Sequence, residues 1–132
     1  MPDSPHVSII VPTCARRARV LRLLDALQRQ TAAPSSFEVV VRIDGSNDGT
    51  YEAVAALDRP NVRVLASSTR RGRAAALNAG IAAAAGALLV FLDDDMEPAP
   101  QFVAAHLQAH HEQRAGGGGD AGVQRGGPAP SR

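Results

Sequence analysis

Three consecutive carboxylates, Asp93, Asp94 and Asp95, follow a continuous apolar run at residues 87–92. Neighbouring anions repel one another, and a divalent cation relieves that repulsion most simply. In an extended segment alternate side chains point the same way, so we predict that Asp93 and Asp95 face one cation while Asp94 points elsewhere. Mg²⁺ or Mn²⁺ prefers such oxygen ligands and also binds phosphate oxygens. The alternative is an acidic cluster ahead of a helix near residues 98–100, where the helix dipole favours negative charge.

Two further polar segments carry candidate ligands. Asp44 opens a turn-rich stretch at residues 44–49, where a carboxylate could accept hydrogen bonds from a ribose or from the N–H of a base. Asp-Gly is also a common turn former, so a purely structural role is the alternative. Arg70, Arg71 and Arg73 precede a predicted helix whose N-terminus carries a partial positive charge, so they either bind an anion or are simply solvated.

Composition and charge exclude several kinds of site. The net charge of +1 gives no concentrated basic face of the kind that nucleic acid binding requires. Cys14 is the single cysteine, which excludes an internal disulfide and a cysteine-based zinc site. His106, His110 and His111 have a spacing that can chelate a metal, but no H-E-x-x-H pattern accompanies them. We therefore expect these histidines on an exposed helical face.

The elements that would position these residues alternate between strand and helix. Apolar and β-branched runs predict strands at residues 7–11, 38–43, 62–65 and 87–92, and helical patterns fall at residues 15–30, 50–58, 72–85 and 100–114. Repeated strand–helix–strand units predict an α/β fold, a Rossmann-like parallel sheet with helices on both faces and right-handed crossovers. Such sheets bind ligands outside the carboxyl ends of their strands, and Pro12, Thr13, Asp44 and the acid triplet all follow predicted strands.

The domain organisation follows from a shift in composition near residue 115. Residues 1–114 are predicted to form one domain, and residues 115–132, which are rich in Gly and Pro, a disordered tail. Residues 1–6 lack the basic start of a signal peptide, so we expect no cleaved leader. The weakly polar stretch at residues 79–92 is too short for a membrane span. We expect a cytoplasmic protein, either free or at the inner face of the membrane.

Four segments together resemble the family 2 glycosyltransferases. They are residues 7–13 (VSIIVPT), 44–50 (DGSNDGT), 71–81 (RGRAAALNAGI) and 92–98 (LDDDMEP), in the order and spacing of that family. The resemblance implies a GT-A fold, of which this chain provides the nucleotide-sugar-binding half and is therefore incomplete. One departure is that Ile43 precedes Asp44, where the family often has a second acidic residue.

The resemblance also implies a set of site residues. Those assigned to the nucleotide sugar are Pro12, Thr13, Asp44, Arg73 and Asp94. Pro12 and Thr13 would lie beside the base, Asp44 on the base or ribose, and Arg73 near the nucleotide. Asp93 and Asp95 would form the metal-binding D-x-D motif. The implied cofactor is Mg²⁺ or Mn²⁺, the donor a UDP- or GDP-sugar, and the acceptor a hydroxyl of a glycan, a lipid or a small molecule.

The implied function is metal-dependent transfer of a sugar to an acceptor hydroxyl with inversion. The family places its catalytic base in a later, acceptor-binding half, so no base is predicted in this chain. The alternative is a non-catalytic nucleotide-binding fragment or pseudoenzyme that lacks this half. A Rossmann dehydrogenase is disfavoured because no G-x-G-x-x-G follows the first strand. A phosphoacceptor receiver domain is disfavoured because it uses a lysine and the chain has none.

Overall fold

The computed structural model describes residues 5–45, 47–115 and 123–125. A short 3-10 turn, Pro34–Ser36, precedes the second strand. The strands and helices in chain order are β1 (Val7–Thr13), α1 (Arg17–Gln28), β2 (Phe37–Asp44), α2 (Thr50–Ala56), β3 (Val62–Ser67), α3 (Arg73–Ala83), β4 (Leu88–Phe91), α4 (Phe102–Ala115) and β5 (Val123–Arg125).

The strands form one parallel sheet in the order β3-β2-β1-β4-β5. The first three strands are added in one direction, and the chain then returns past β1 to add β4 on its other side. A parallel sheet with such a reversal has a crevice outside the carboxyl ends of the two strands that flank the reversal. The topology therefore points to the ends of β1 and β4, and the predicted fold class is confirmed.

The core explains why the strands are so apolar. Every residue of β1 is buried, and alternate residues of the sheet face a cluster that also contains the buried side chains of α1, α2 and the start of α4. The opposite face of β1 and β2 is covered by α3. There Gly80 lies so close to the strand that a Cβ would come within 2.4 Å of Ile10 Cγ2. Burial on both faces is what parallel strands require.

Several boundaries differ from those predicted. The first helix begins at Arg17 rather than near residue 15, because Ala15 has a left-handed backbone (φ 54°) that a helix does not accommodate. The last helix begins at Phe102, two residues later than expected, after a turn closed by the Phe102 N–H and the Ala99 carbonyl. His110 is buried, so the expectation of an exposed histidine face was wrong for this residue.

The stretch predicted as a disordered tail, residues 115–132, lies largely outside the described residues. Ala115 is the last residue of α4, and Val123–Arg125 pair with residues 89–91 of β4, a strand that the sequence did not predict. Among the described helices, none is long and apolar enough to cross a bilayer.

Candidate functional site

A cleft of about 500 Å³ opens at the carboxyl ends of β1, β2 and β4. All of the residues predicted for the site line it: Pro12, Thr13, Asp44, Arg73, Asp93, Asp94 and Asp95. They come from three strand ends and from the first turn of α3, and they meet because the carboxyl ends of parallel strands lie at one edge of a sheet. The volume is within the usual range for a small-molecule site.

The acid triplet is split between an exposed pair and a buried middle residue. Asp93 and Asp95 are exposed, whereas Asp94 is only 9% exposed and accepts a hydrogen bond of 2.7 Å from Thr13 Oγ1. The sequence predicted this split from an extended backbone. The structure shows a different cause, because β4 ends at Phe91 and the Met96 N–H bonds the Asp93 carbonyl at 3.1 Å, which closes a turn. The Thr13–Asp94 bond ties the ends of β1 and β4 together.

Asp44 is the last residue of β2 and is buried, with 6% of its surface exposed. Its Oδ1 accepts the backbone N–H of Arg71 at 2.7 Å, and its Oδ2 accepts that of Gly72 at 2.9 Å. The Arg71 N–H bond is the main reason that the pKa of Asp44 is lowered from its ordinary value; the Gly72 N–H and the charge of Arg70 add to the effect, while burial opposes it. Asp44 therefore stays ionised and linked to the loop before α3.

Arg73 is the first residue of α3 and reaches across the cleft to the acid triplet. Its Nη2 lies 2.5 Å from Asp93 Oδ1, and both side chains are more than half exposed. The pair joins a residue predicted to bind the nucleotide to one predicted to bind a metal. Arg70 also lines the cleft, whereas Arg71 is not among the lining residues.

Sequence reasoning missed several residues of the cleft. Cys14 and Arg16 line it because the chain turns sharply after β1, around the left-handed Ala15. A non-glycine residue with positive φ is uncommon, and no residue type in this segment indicates it. Ala76 also lines the cleft, one turn into α3.

Asp48 lies near the same carboxyl edge of the sheet and binds the starts of two helices. Its Oδ2 accepts the backbone N–H of Arg17 at the start of α1, and its Oδ1 accepts that of Thr50 at the start of α2. One carboxylate thus satisfies N-terminal N–H groups of two helices that would otherwise lack partners.

The donor atoms of the cleft suit a hard divalent cation that a substrate helps to bind. Within residues 5–45, 47–115 and 123–125, no group of three or more His, Cys, Asp or Glu side chains is arranged to hold a metal by itself. Asp93 and Asp95 supply two exposed carboxylates. Mg²⁺ is usually held by one or two carboxylates together with water and substrate phosphates, so this pair fits that mode.

Comparison with known proteins gives a consistent result. The model of the family described as glycosyl transferase family 2 matches residues 8–127. The chain is 41% identical over 108 residues to validoxylamine A glucosyltransferase of Streptomyces hygroscopicus subsp. limoneus, which covers 80% of this chain and 24% of that protein. It is 36% identical over 101 residues to glycosyltransferase AglE of Haloferax volcanii, covering 75% and 33%. The chain thus spans about a quarter to a third of the length of these curated relatives.

Solved structures show the same partial coverage. The mannosyltransferase PcManGT from Pyrobaculum calidifontis, in complex with GDP-Man and Mn²⁺, matches with a TM-score of 0.72 and 33% identity over 80% of this chain and 32% of that one. The S. aureus TarS 1-349 structure in complex with UDP-GlcNAc matches with a TM-score of 0.73 and 30% identity, also over 80% and 32%.

Proposed function

This chain belongs to glycosyl transferase family 2, and we propose that its cleft binds the nucleotide portion of a nucleotide-diphosphate sugar whose sugar the protein transfers to an acceptor hydroxyl. One observation carries the proposal. Residues from three strand ends and from the start of α3, far apart in the chain, line a single cleft that contains both arginines and carboxylates. A diphosphate with a bound divalent cation needs both kinds of group.

Each part of the donor is assigned to a part of the cleft. The base lies at the β1 side, beside Pro12 and Thr13. The diphosphate lies toward Arg73 and the N-terminus of α3, where a guanidinium and the helix dipole both favour an anion. Asp44 and Asp94 lie on the nucleotide side and are buried, so they shape the floor of the cleft. The solved structures in complex with GDP-Man and with UDP-GlcNAc support a nucleotide-sugar donor.

Asp93 and Asp95 would hold Mg²⁺ or Mn²⁺. When bound, the metal would stabilise the negative charge of the departing nucleoside diphosphate. The Mn²⁺ in the PcManGT complex supports a divalent metal in this family. The contact of Asp93 with Arg73 in the first turn of α3 supports a metal site next to the proposed phosphate site.

The proposed reaction is a single displacement with inversion. The acceptor oxygen forms a bond to the anomeric carbon while the bond from that carbon to the diphosphate oxygen breaks, and the hydroxyl proton passes to a carboxylate base. Among the described residues, the carboxylates that line the cleft are assigned to the metal and the nucleotide. The base is therefore proposed for another part of the protein, and the transfer activity for the protein as a whole.

The metal assignment is tested with Asp95→Asn. Titration calorimetry of UDP and of GDP should show binding that strengthens with Mn²⁺ in the unaltered chain. In the variant, affinity with Mn²⁺ should fall to the value measured without metal, because one of two ligand carboxylates has become a neutral amide. Glu97→Gln is the matched control, since it removes an exposed charge two residues away and outside the cleft. Unchanged Mn²⁺-dependent affinity in Asp95→Asn would refute the assignment.

The second candidate function is nucleotide binding without transfer. It is favoured by one observation: the carboxylates among the described residues that line the cleft, Asp44, Asp93, Asp94 and Asp95, are all assigned to the donor or its metal, so none of them is assigned as the base. Incubation with UDP- and GDP-sugars, Mn²⁺ and varied acceptors separates the two. Release of nucleoside diphosphate that depends on Asp95 supports transfer, whereas tight binding without release supports the second candidate.

A further inference from the structure

The loop that connects β3 to α3 is exposed and has few means of holding its own shape. Residues 68–72 are all solvent-exposed, and Ser67 Oγ, at the end of β3, donates a hydrogen bond to the Thr69 carbonyl at 2.8 Å. The loop nonetheless carries Arg70 into the cleft and ends at Gly72, the N-terminal cap residue of α3. The position of the loop therefore depends on its contacts with other parts of the protein. We call residues 68–72 the arginine loop.

The side chain of Asp44 holds the end of the arginine loop. Its two oxygens accept the consecutive backbone N–H groups of Arg71 and Gly72, at 2.7 and 2.9 Å. Hydrogen bonds to an ionised acceptor are stronger than neutral ones. Both oxygens of Asp44 are thus bonded to the loop, while the residue, with 6% of its surface exposed, also lines the cleft.

The backbone of Gly45 holds the start of the arginine loop. Gly45 has φ +69°, and a Cβ on it would lie 2.3 Å from the Arg70 nitrogen, 2.7 Å from the Arg70 Cα and 2.7 Å from the Thr69 carbonyl carbon. No real side-chain carbon tolerates such distances to backbone atoms. Gly45 is therefore needed twice, for its left-handed backbone and for the close approach of the loop.

Two adjacent residues at the end of β2 thus contact consecutive parts of the same loop through different atoms. The loop in turn places Arg70 in the cleft and fixes the first turn of α3, from which Arg73 reaches Asp93. We infer that Asp44 and Gly45 form a seat for the arginine loop, and that this seat affects donor binding by positioning Arg70 and Arg73. This inference rests on the proposed donor site.

The seat is tested first without any nucleotide, by limited trypsin digestion with mass spectrometry. Asp44→Asn keeps the size of the side chain but replaces one acceptor by an NH₂ group that faces a backbone N–H. Gly45→Ala leaves the carboxylate in place and pushes the loop away. Both variants should be cleaved faster after Arg70 and Arg71 than the unaltered chain. Asp58→Asn, an exposed carboxylate beyond α2, is the control and should show no change.

The second measurement is the affinity for UDP with Mn²⁺. Gly45→Ala removes no group that could contact a nucleotide, so a fall in its affinity reports the position of the loop. In the double variant the rate of cleavage after Arg70 and Arg71 should be no higher than in the faster-cleaved single variant, because both changes release the same loop.

Three results would overturn the inference: unaltered cleavage in Asp44→Asn, unaltered affinity in Gly45→Ala, or multiplied cleavage rates in the double variant. Cleavage after Arg42, inside β2, reports global unfolding. If Gly45→Ala is cleaved after Arg42 and is therefore unfolded, cleavage of the near-isosteric Asp44→Asn variant after Arg70 and Arg71 tests the inference instead. If the unaltered chain binds neither UDP nor GDP, the proposed function fails, while the digestion still tests the seat.

Discussion

Arg73 and Asp93 form an ion pair in the cleft although the proposed function gives them different ligands. Their side chains are 60% and 53% exposed, and a pair so exposed contributes only about 0–1 kcal/mol to stability. A diphosphate and a divalent cation can therefore separate the pair at little cost. The guanidinium lies beside Asp93, at the position that the metal is proposed to occupy.

This arrangement gives a prediction for Arg73→Ala. Without nucleotide, Mn²⁺ should bind the variant more tightly than the unaltered chain, because no guanidinium competes for Asp93. UDP should bind more weakly, because a phosphate-facing cation is gone. Electron paramagnetic resonance of free Mn²⁺ measures the first effect and calorimetry the second. Arg71→Ala, in the same loop but outside the cleft, is the control. Weaker Mn²⁺ binding in Arg73→Ala would contradict the competition.

At this scale the sequence predicted which side chains meet but not how they are paired. Pro12, Asp44 and the acid triplet could be placed together because each follows a strand of one parallel sheet. The bonds of Asp44 to Arg71 and Gly72 could not be predicted, because they depend on the path of a loop 27 and 28 residues further along the chain. For the same reason no residue type indicated that Ala15 would be left-handed.

The helices and strands themselves were predictable wherever a buried face imposes a pattern. Among the described residues, the four α-helices and the first four strands lie where the sequence patterns indicated, and the errors are at their ends. Tertiary contacts determine where the elements end. For example, Asp48 accepts a hydrogen bond from the Arg17 N–H at the start of α1. β5 could not be predicted, because Val123–Arg125 offers no apolar run and is a strand only by pairing with β4.

The packing of α3 on β1 gives a prediction at the level of elements. Replacing glycine by alanine inside a helix normally stabilises it by about 1 kcal/mol. Gly80→Ala should do the opposite and lower the free energy of unfolding by about 1–3 kcal/mol, because the new Cβ would meet Ile10 Cγ2 at 2.4 Å. Urea denaturation measures the change.

The control for Gly80→Ala is Ala82→Gly on the exposed side of the same helix. It should be destabilised by about 1 kcal/mol, the cost of glycine in a helix without any change in packing. The two variants exchange the same pair of residue types in opposite directions. If Gly80→Ala proved more stable than the unaltered chain, α3 could not approach β1 as closely as described.

At the scale of the whole molecule, one end of the sheet carries the cleft and the other end stabilises the fold. The carboxyl ends of β1, β2 and β4 carry the cleft with its exposed charges. At the amino end, the Glu38 side chain is buried and both of its oxygens accept hydrogen bonds. Oε2 accepts one from the Ser8 hydroxyl and one from the Ala85 N–H, both at 2.6 Å. Oε1 accepts one from Arg63 Nη2 at 3.0 Å. This network joins β1, β2, β3 and the segment before β4, so it stabilises the order of the strands that the cleft needs.

Glu38→Gln tests whether the stability of the fold and the ligand affinity of the cleft depend on different ends of the sheet. The amide loses a charge and points an N–H group at one of the donors, so the free energy of unfolding should fall by about 1–3 kcal/mol in urea denaturation. The affinity for UDP with Mn²⁺ should be unchanged at temperatures where the variant is folded, because Ser8 and Glu38 are register partners at the end of the sheet opposite Thr13. Glu52→Gln, an exposed acid on α2, should change neither quantity. A fall in UDP affinity in folded Glu38→Gln would mean that the amino end also controls the geometry of the cleft.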